Sequence, residues 1–233
     1  MENKRLAFIS EKMPPEIAGI FENLGYGCVR LLPHEALDTP VAHHPDMLFS
    51  VLDSGDVLCD EDYLRANPFL LELGVSFRPS SAKLGKKYPQ DIAFDALVID
   101  GVMYGKTSFV APEILQNRKT VNVKQGYAQC STLVTDRVAI TGDSGIYDAL
   151  IKNGVNALKI SADGIALDGY SCGFIGGASA YDKDSETVIF FGDITKHPDY
   201  EKINAFLKQN GHKIAFSDSI PLTDFGGAKL IQK

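Results

Sequence analysis

The sequence predicts an α/β protein in which a ββαβ unit occurs five times and the units close into a pseudosymmetric ring. Three observations carry that reading. Amphipathic segments that end in glycine and run into a short β-rich stretch recur roughly every 45 residues, the spacing of a repeat architecture. Paired apolar runs around polar turns precede most of these segments. The one pair that is missing is supplied by the two ends of the chain, whose pairing would remove exposed sheet edges.

Taken in order, KRLAFIS is the second strand of the first unit. SEKMPPE then opens its helix, with Ser10 as a cap candidate and prolines in the first turn. IFENLGYGCVRLL ends that helix at Gly25, where a left-handed cap suits glycine. MLFSVLDSGDVLC is a hairpin around Asp53-Ser54-Gly55-Asp56, followed by Asp60 or Asp62 as helix cap and a helix end at Gly74. FDALVIDGVMYG turns at Asp100-Gly101, and Thr107 or Ser108 is the expected cap of PEILQNRKTVNV, the one unit without a capping glycine. CSTLVTDRVAITG turns near Asp136-Arg137, with Asp143 or Ser144 as cap and Gly154 at the helix end. GGASAYDKDSETVIFFG turns through DKDSE, with Thr195 or Pro198 at the next helix start and Gly211 at its end. FGGAKLIQK supplies the first strand that pairs with KRLAFIS. The expectation is a single domain over residues 1–233.

Aligning the first strands on their turns places Met47, Phe94, Cys130, Gly176 and Gly226 at one level. Leu48, Asp95, Ser131, Gly177 and Gly227 occupy the next. In a closed ring these levels surround the axis, where the glycines leave space or relieve crowding of converging strands. The C-terminal ends of the parallel strands gather AHHPD (42–46), KKYPQD (86–91), VKQGYAQC (123–130), GDSG (142–145) and GDITKH (192–197). That polar face is where ligands collect in α/β proteins.

Composition bounds the function. The 233 residues are 45% hydrophobic and 23% charged, ordinary for a soluble domain. A net charge of −7 argues against a nucleic-acid surface, although a local cationic pocket stays open. No apolar run approaches the ~18 residues of a membrane span. The start MENKRLAFISEK lacks the pattern of a secretory signal. Four scattered cysteines, Cys28, Cys59, Cys130 and Cys172, read as reduced thiols of a cytoplasmic protein, with no zinc spacing and no metal expected. DGVMYGKTS looks like the end of a phosphate-binding loop, but Asp100 stands where that motif needs glycine, so nucleotide binding is not expected.

HPDM, NVKQGYAQCS, GDSGI, GFIGGASA and FFGD, in this order, resemble a bacterial family with the pentein fold, also called the guanidino-group-modifying enzyme fold or α/β propeller. The resemblance covers nearly the whole chain. It implies kinship with arginine and agmatine deiminases, dimethylarginine hydrolases and amidinotransferases, which use a cysteine nucleophile, a histidine and guanidinium-holding carboxylates. Those enzymes carry the cysteine in a glycine-rich segment near the C-terminus. Here DFGGAKLIQK has none and offers Lys229 instead.

Cys130 is therefore the candidate nucleophile, with a buried structural thiol as the alternative. His44 is the candidate acid/base, with His197 as the other histidine that could act as base, and Asp46 is its catalytic companion, against a loop histidine stacked on proline and a turn-capping aspartate. His43 is expected in solvent. Asp95 is expected to hold the substrate with Asp46, or else to bond backbone groups at the strand start. Lys124 would favour the thiolate. Gln125, Tyr127, Asp91, Ser179, Asp193 and His197 complete the substrate-binding candidates. The implied function is a hydrolase or amidinotransferase-like enzyme acting on a small guanidino or related C–N substrate, without cofactor. Its expected partner is that small molecule, with no nucleic acid, no membrane, and a homodimer as candidate assembly. The rival is a non-catalytic binding or interaction protein with the same fold.

Overall fold

The computed structural model describes residues 5–232, so Met1 to Lys4 and Lys233 of the expected domain lie outside the described residues. Its strands form five three-stranded sheets. In each, the middle strand runs antiparallel to the first and parallel to the third, and a helix connects middle to third. The sheets are Phe49–Val51 with Val57–Asp60 and Phe77–Ser80, then Leu97–Ile99 with Val102–Gly105 and Lys119–Asn122. They continue with Thr132–Val134, Ala139–Thr141 and Ala157–Lys159, and with Ser179–Asp182, Thr187–Phe190 and Lys213–Ala215. The remaining sheet joins the two ends of the chain: Lys229–Gln232 pairs antiparallel with Arg5–Ser10, Phe8 opposite Lys229, and Gly27–Leu31 lies parallel on the other side.

The helix ends follow the predicted glycines. Gly25, Gly74, Gly154 and Gly211 all have positive φ, between 73° and 85°. In the unit that lacks a glycine, Asn117 takes the left-handed position at φ 59°, as the residue type that tolerates it best after glycine. Asp60 accepts from Asp62 N and Tyr63 N, and Asp143 from Ile146 N, both as expected of helix caps.

Three other starts differ. The helix after Asp100-Gly101 is a single turn, Pro112–Leu115, and begins after Ala111, while Thr107 Oγ1 donates to Asn122 Oδ1. The first helix begins after Pro14, and Ser10 Oγ instead accepts from Lys12 N and bonds His43. The last helix, Tyr200–Gln209, begins after Asp199, because Ile194–Lys196 forms its own 3₁₀ turn under an Asp193 cap.

Apolar side chains fill the space between sheets and helices. Ile17, Ala18 and Phe21 of the first helix pack with Ala7, Ile9 and Phe191. Phe8 meets Phe49 edge-on at 5.6 Å. The segments leading into the first strands meet one another as well. Gly177 N donates to Cys130 O, Gly227 N to Gly177 O, Asp46 N to Gly226 O and Gln129 N to Asp95 Oδ1. This convergence positions the site.

It also corrects the level assignment. The hairpin connections differ in length, being residues 52–56, 100–101, 135–138 and 183–186. Counting back from the turns therefore slips by one residue in three units, where Asp95, Gly177 and Gly227 take the places expected for Phe94, Gly176 and Gly226. Counted from the strand starts, Asp95 stands level with Cys130, Gly177 and Gly227, two residues before each first strand.

Candidate active site

Cys130 sits in a tight turn in which Ser131 N donates to Tyr127 O and Thr132 N to Gln129 O, just before the strand Thr132–Val134. Its Sγ lies 2.8 Å from Asp46 Oδ2 and 2.6 Å from Asp95 Oδ2. Asp46 comes from the single-turn helix Pro45–Leu48, which forms because Pro45 suits a first helical position. Asp95 Oδ1 accepts from Gln129 N at 2.6 Å and Cys130 N at 3.3 Å. One Asp95 oxygen thus bonds the backbone and fixes the turn, as the alternative reading expected, and the other faces the thiol. Asp46 Oδ1 is buried and makes no hydrogen bond among the described residues.

The three groups are almost sealed, at 4% exposure for Cys130, 2% for Asp46 and 0% for Asp95. Burial, reinforced by Asp95, pushes the Asp46 carboxyl up to about 7, and burial pushes Asp95 up to about 6. Burial and then the two carboxylates push the Cys130 thiol well above its ordinary value. The resting thiol is therefore protonated and shared between two acids.

Two further groups belong to this site, and sequence reasoning left them out of it. Asp224 is buried, accepts from Phe174 N at 2.8 Å and Gly226 N at 2.9 Å, and is pushed up to about 7 by burial and then by Asp46. Lys229 is 6% exposed; burial pulls its amine down, while Asp46, Asp95 and Cys130 act in the opposite sense. The paired glycines explain how this fits. A Cβ at Gly177 would overlap the Asp224 carboxylate, one at Gly176 would meet the carbonyls of Gln129, Cys130 and Thr132, and one at Gly226 would overlap His44. DFGGAK, an acid and a lysine flanking a glycine pair, was the available signal.

His44 is buried with Nδ1 3.8 Å from Asp224 Oδ1, and the structure brings it to Asp224 rather than into hydrogen-bond contact with Cys130. Burial, then His43 and Lys12, pull its pKa down to about 3, so its ring is neutral. His43, expected in solvent, is buried, because its Nδ1 bonds Ser10 Oγ at 2.8 Å. Lys124 is exposed, and the cation facing the thiol is Lys229.

Tyr127 donates to Asp91 Oδ2 at 2.6 Å and packs its ring against Tyr88 and Phe174, on the polar face. Gln125 accepts from Tyr127 N and lines a 160 Å³ cavity with Ser131 and Asp143. Ser179 donates to Ile175 O and lines a larger cleft of about 330 Å³ with Asp46, Thr132 and Lys229. Asp193 and His197 are held elsewhere, Asp193 capping Thr195 N and His197 Nδ1 accepting from Asp199 N. The donor atoms of Asp46, Asp95 and Cys130 lie within 4.8 Å of one another, close enough to share a metal ion. They serve equally as two carboxylates and a thiol converging on an organic cation.

Residues 8–228 match the model of the family described as "Family of unknown function (DUF6873)". No curated protein shows significant sequence similarity to the chain. Among solved structures, agmatine deiminase of C. jejuni superposes with a TM-score of 0.58 at 11% identity, covering 99% of this chain and 94% of that one. A dimethylarginine dimethylaminohydrolase, solved as its adduct with 4-chloro-2-hydroxymethylpyridine, gives 0.51 at 11% identity, covering 94% of each chain. At such identity the likeness is one of fold. The chain belongs to the DUF6873 family, and its fold is similar to that of the pentein, guanidino-group-modifying enzymes.

Proposed function

We propose that the chain is a cysteine-dependent hydrolase or amidinotransferase-like enzyme, built as one closed pentein ring and acting in the cytoplasm on a small guanidino or related C–N compound. The observation that carries this reading is the contact of Cys130 Sγ with two buried carboxylate oxygens, at 2.8 and 2.6 Å. Two acids held apart by a thiol are a poor resting arrangement and a good receptor for a planar cation. Burial first, and then the two carboxylates, keep the thiol protonated, and a guanidinium between Asp46 and Asp95 removes the carboxylates' part.

In that complex Asp46, pushed up to about 7, is placed to take the Sγ proton. The thiolate then adds to the central carbon, forming a C–S bond as one C–N π pair moves onto nitrogen. Return of the proton to one nitrogen breaks its C–N bond and releases the amine; water or an acceptor amine then adds to the same carbon, the C–S bond breaks, and the thiol is restored. Asp46, having given up its proton, is the base for that second attack, while neutral His44 stays beside Asp224. Asp95 fixes the substrate and the Cys130 turn. Gln125, Tyr127 and Asp91 shape the polar-face approach, while Lys124, Asp193 and His197 contribute no contact to the thiol cluster.

The high thiol pKa and 4% exposure of Cys130 favour a second reading, a non-catalytic binding protein that keeps the receptor. Ammonia or amine release from a panel of guanidino compounds separates them. Turnover that disappears in Cys130→Ala supports the enzyme. Undiminished turnover in that variant refutes it, and ligand binding without turnover selects the binding protein.

A further inference from the structure

Lys229 opens the strand Lys229–Gln232, opposite Phe8, and the alternation of that strand turns its side chain to the same inward face as Ile231. There it lines the cleft of about 330 Å³ together with Asp46, Ser50, Thr132 and Ser179. Val51, 41% exposed, also lines it, so the cleft reaches solvent.

The amine is not placed as a structural counter-ion would be. Lys229 is 6% exposed, and no hydrogen bond or ion pair engages its Nζ among the described residues; Asp46, Asp95 and Cys130 act on it only at longer range. A lysine kept to balance those acids would stand within pairing distance of one of them. Asp46 Oδ1 and Thr132 Oγ1, of two other lining residues, are also buried without a partner. Native proteins rarely leave such groups unmatched. Burial also favours the neutral, nucleophilic form of the Lys229 amine. An exposed lysine, by contrast, keeps only on the order of one amine in a thousand neutral near neutral pH. Desolvated lysines with an acid nearby are the kind that form Schiff bases with carbonyl compounds.

We propose that the cleft is a second reactive site, in which a small aldehyde or ketone condenses with Lys229 Nζ to an imine and Asp46 serves as the acid. The nitrogen lone pair adds to the carbonyl carbon, forming a C–N bond, and the C=O π pair moves onto oxygen, which takes a proton from Asp46. The nitrogen then gives a proton to the Asp46 carboxylate. Asp46 passes that proton to the hydroxyl, which leaves as water while the nitrogen pair closes the C=N bond. The product is a protonated imine balanced by the Asp46 carboxylate, so no oxidant, reductant or further reactant is needed. Asp46 suits both directions of transfer, its carboxyl being raised to about 7. The hydroxyls of Ser50, Thr132 and Ser179 supply hydrogen bonds around the carbonyl oxygen. This chemistry uses residues that line the cleft and is independent of the reading of Cys130 as a nucleophile.

The test is reductive trapping of the wild-type protein with glycolaldehyde and cyanoborohydride at neutral pH, with the modified lysines mapped by mass spectrometry. The rate at each lysine is divided by its rate in urea-unfolded protein. Lys229 is expected to be modified at least tenfold faster on this scale than the exposed Lys124 and Lys208. A normalised rate at Lys229 equal to or below theirs overturns the proposal. In Asp46→Asn the rate at Lys229 should fall at least tenfold while Lys124 and Lys208 keep theirs; an unchanged rate at Lys229 overturns the assignment of Asp46 as the acid. The first comparison needs no variant, so it does not depend on how any variant folds. Its readout is the amine rather than turnover at Cys130, so its failure leaves the proposed thiol chemistry standing, and failure of the thiol chemistry leaves this result intact.

Discussion

Replacing Asp46 by asparagine separates stability from function. Asp46 Oδ2 faces the Cys130 thiol, and its Oδ1 has no partner, so an amide of the same shape keeps a thiol contact and orphans no donor of the backbone. What it removes is a buried charge. In the folded protein the carboxyl is raised from 3.8 to about 7, a displacement worth up to about 4 kcal/mol. The sign follows from the direction. A group raised on folding favours the folded state fully below its unfolded pKa, and that contribution is lost as pH rises through the folded pKa. The wild type therefore loses stability between about pH 4 and about pH 7, a loss Asp46→Asn does not share. Urea unfolding should find the two proteins similar near pH 4 and the variant more stable at pH 8, by about 2–4 kcal/mol. Turnover or ligand binding should fall at least tenfold in the same protein. A variant that is equally destabilised at both pH values would show that Asp46 is a structural acceptor, and the reasoning about an uncompensated charge would be refuted.

Other expectations follow from the same contacts. Gly177→Ala forces the Asp224 carboxylate to move and should cost about 3 kcal/mol or more in chemical denaturation, whereas Gly55→Ala, with open space around it, should cost about 1 kcal/mol from its positive φ alone. Truncation after Ala228 removes the strand that pairs with Arg5–Ser10 and should abolish cooperative unfolding as read by circular dichroism; a native-like melt would contradict the pairing. Tyr127→Phe deletes the bond to Asp91 that shapes the polar-face approach and should change ligand on-rates by more than about twofold, whereas unchanged on-rates would mean that ligands do not pass that face.

The repeat was legible because its punctuation is local. A glycine that must be left-handed, an aspartate at a helix start and a two-residue Asp-Gly turn each report on their own few residues, which is why Gly25, Gly74, Gly154, Gly211, Asp60 and Asp143 were readable. The single-turn helix at Pro112–Leu115 was not, since its start depends on where the sheet places Ala111 rather than on a cap. Within the site, Cys130 and Asp95 were found from their levels and Asp46 from its place beside His44 ahead of a first strand, although turns of unequal length misplaced Asp95 by one residue. Asp224 and Lys229 were missed for a different reason. Their significance lies in what they meet across the fold, Phe174 N for Asp224 and the Cys130 cluster for Lys229, and nothing in DFGGAK says which neighbours it will have. His44 shows the reverse case, a residue type suited to acid/base work whose partner turned out to be Asp224.

The central claim is that Cys130 is a nucleophile activated by a cation between Asp46 and Asp95. Its most direct measurement is the rate of Cys130 alkylation by chloroacetamidine and by the isosteric neutral chloroacetamide, each normalised to a free thiol and mapped by mass spectrometry. The account predicts at least about tenfold preference for the amidinium, equivalent to roughly 1.4 kcal/mol, lost in Asp46→Asn and Asp95→Asn. Equal normalised rates, or labelling confined to Cys28 and Cys172, would contradict it.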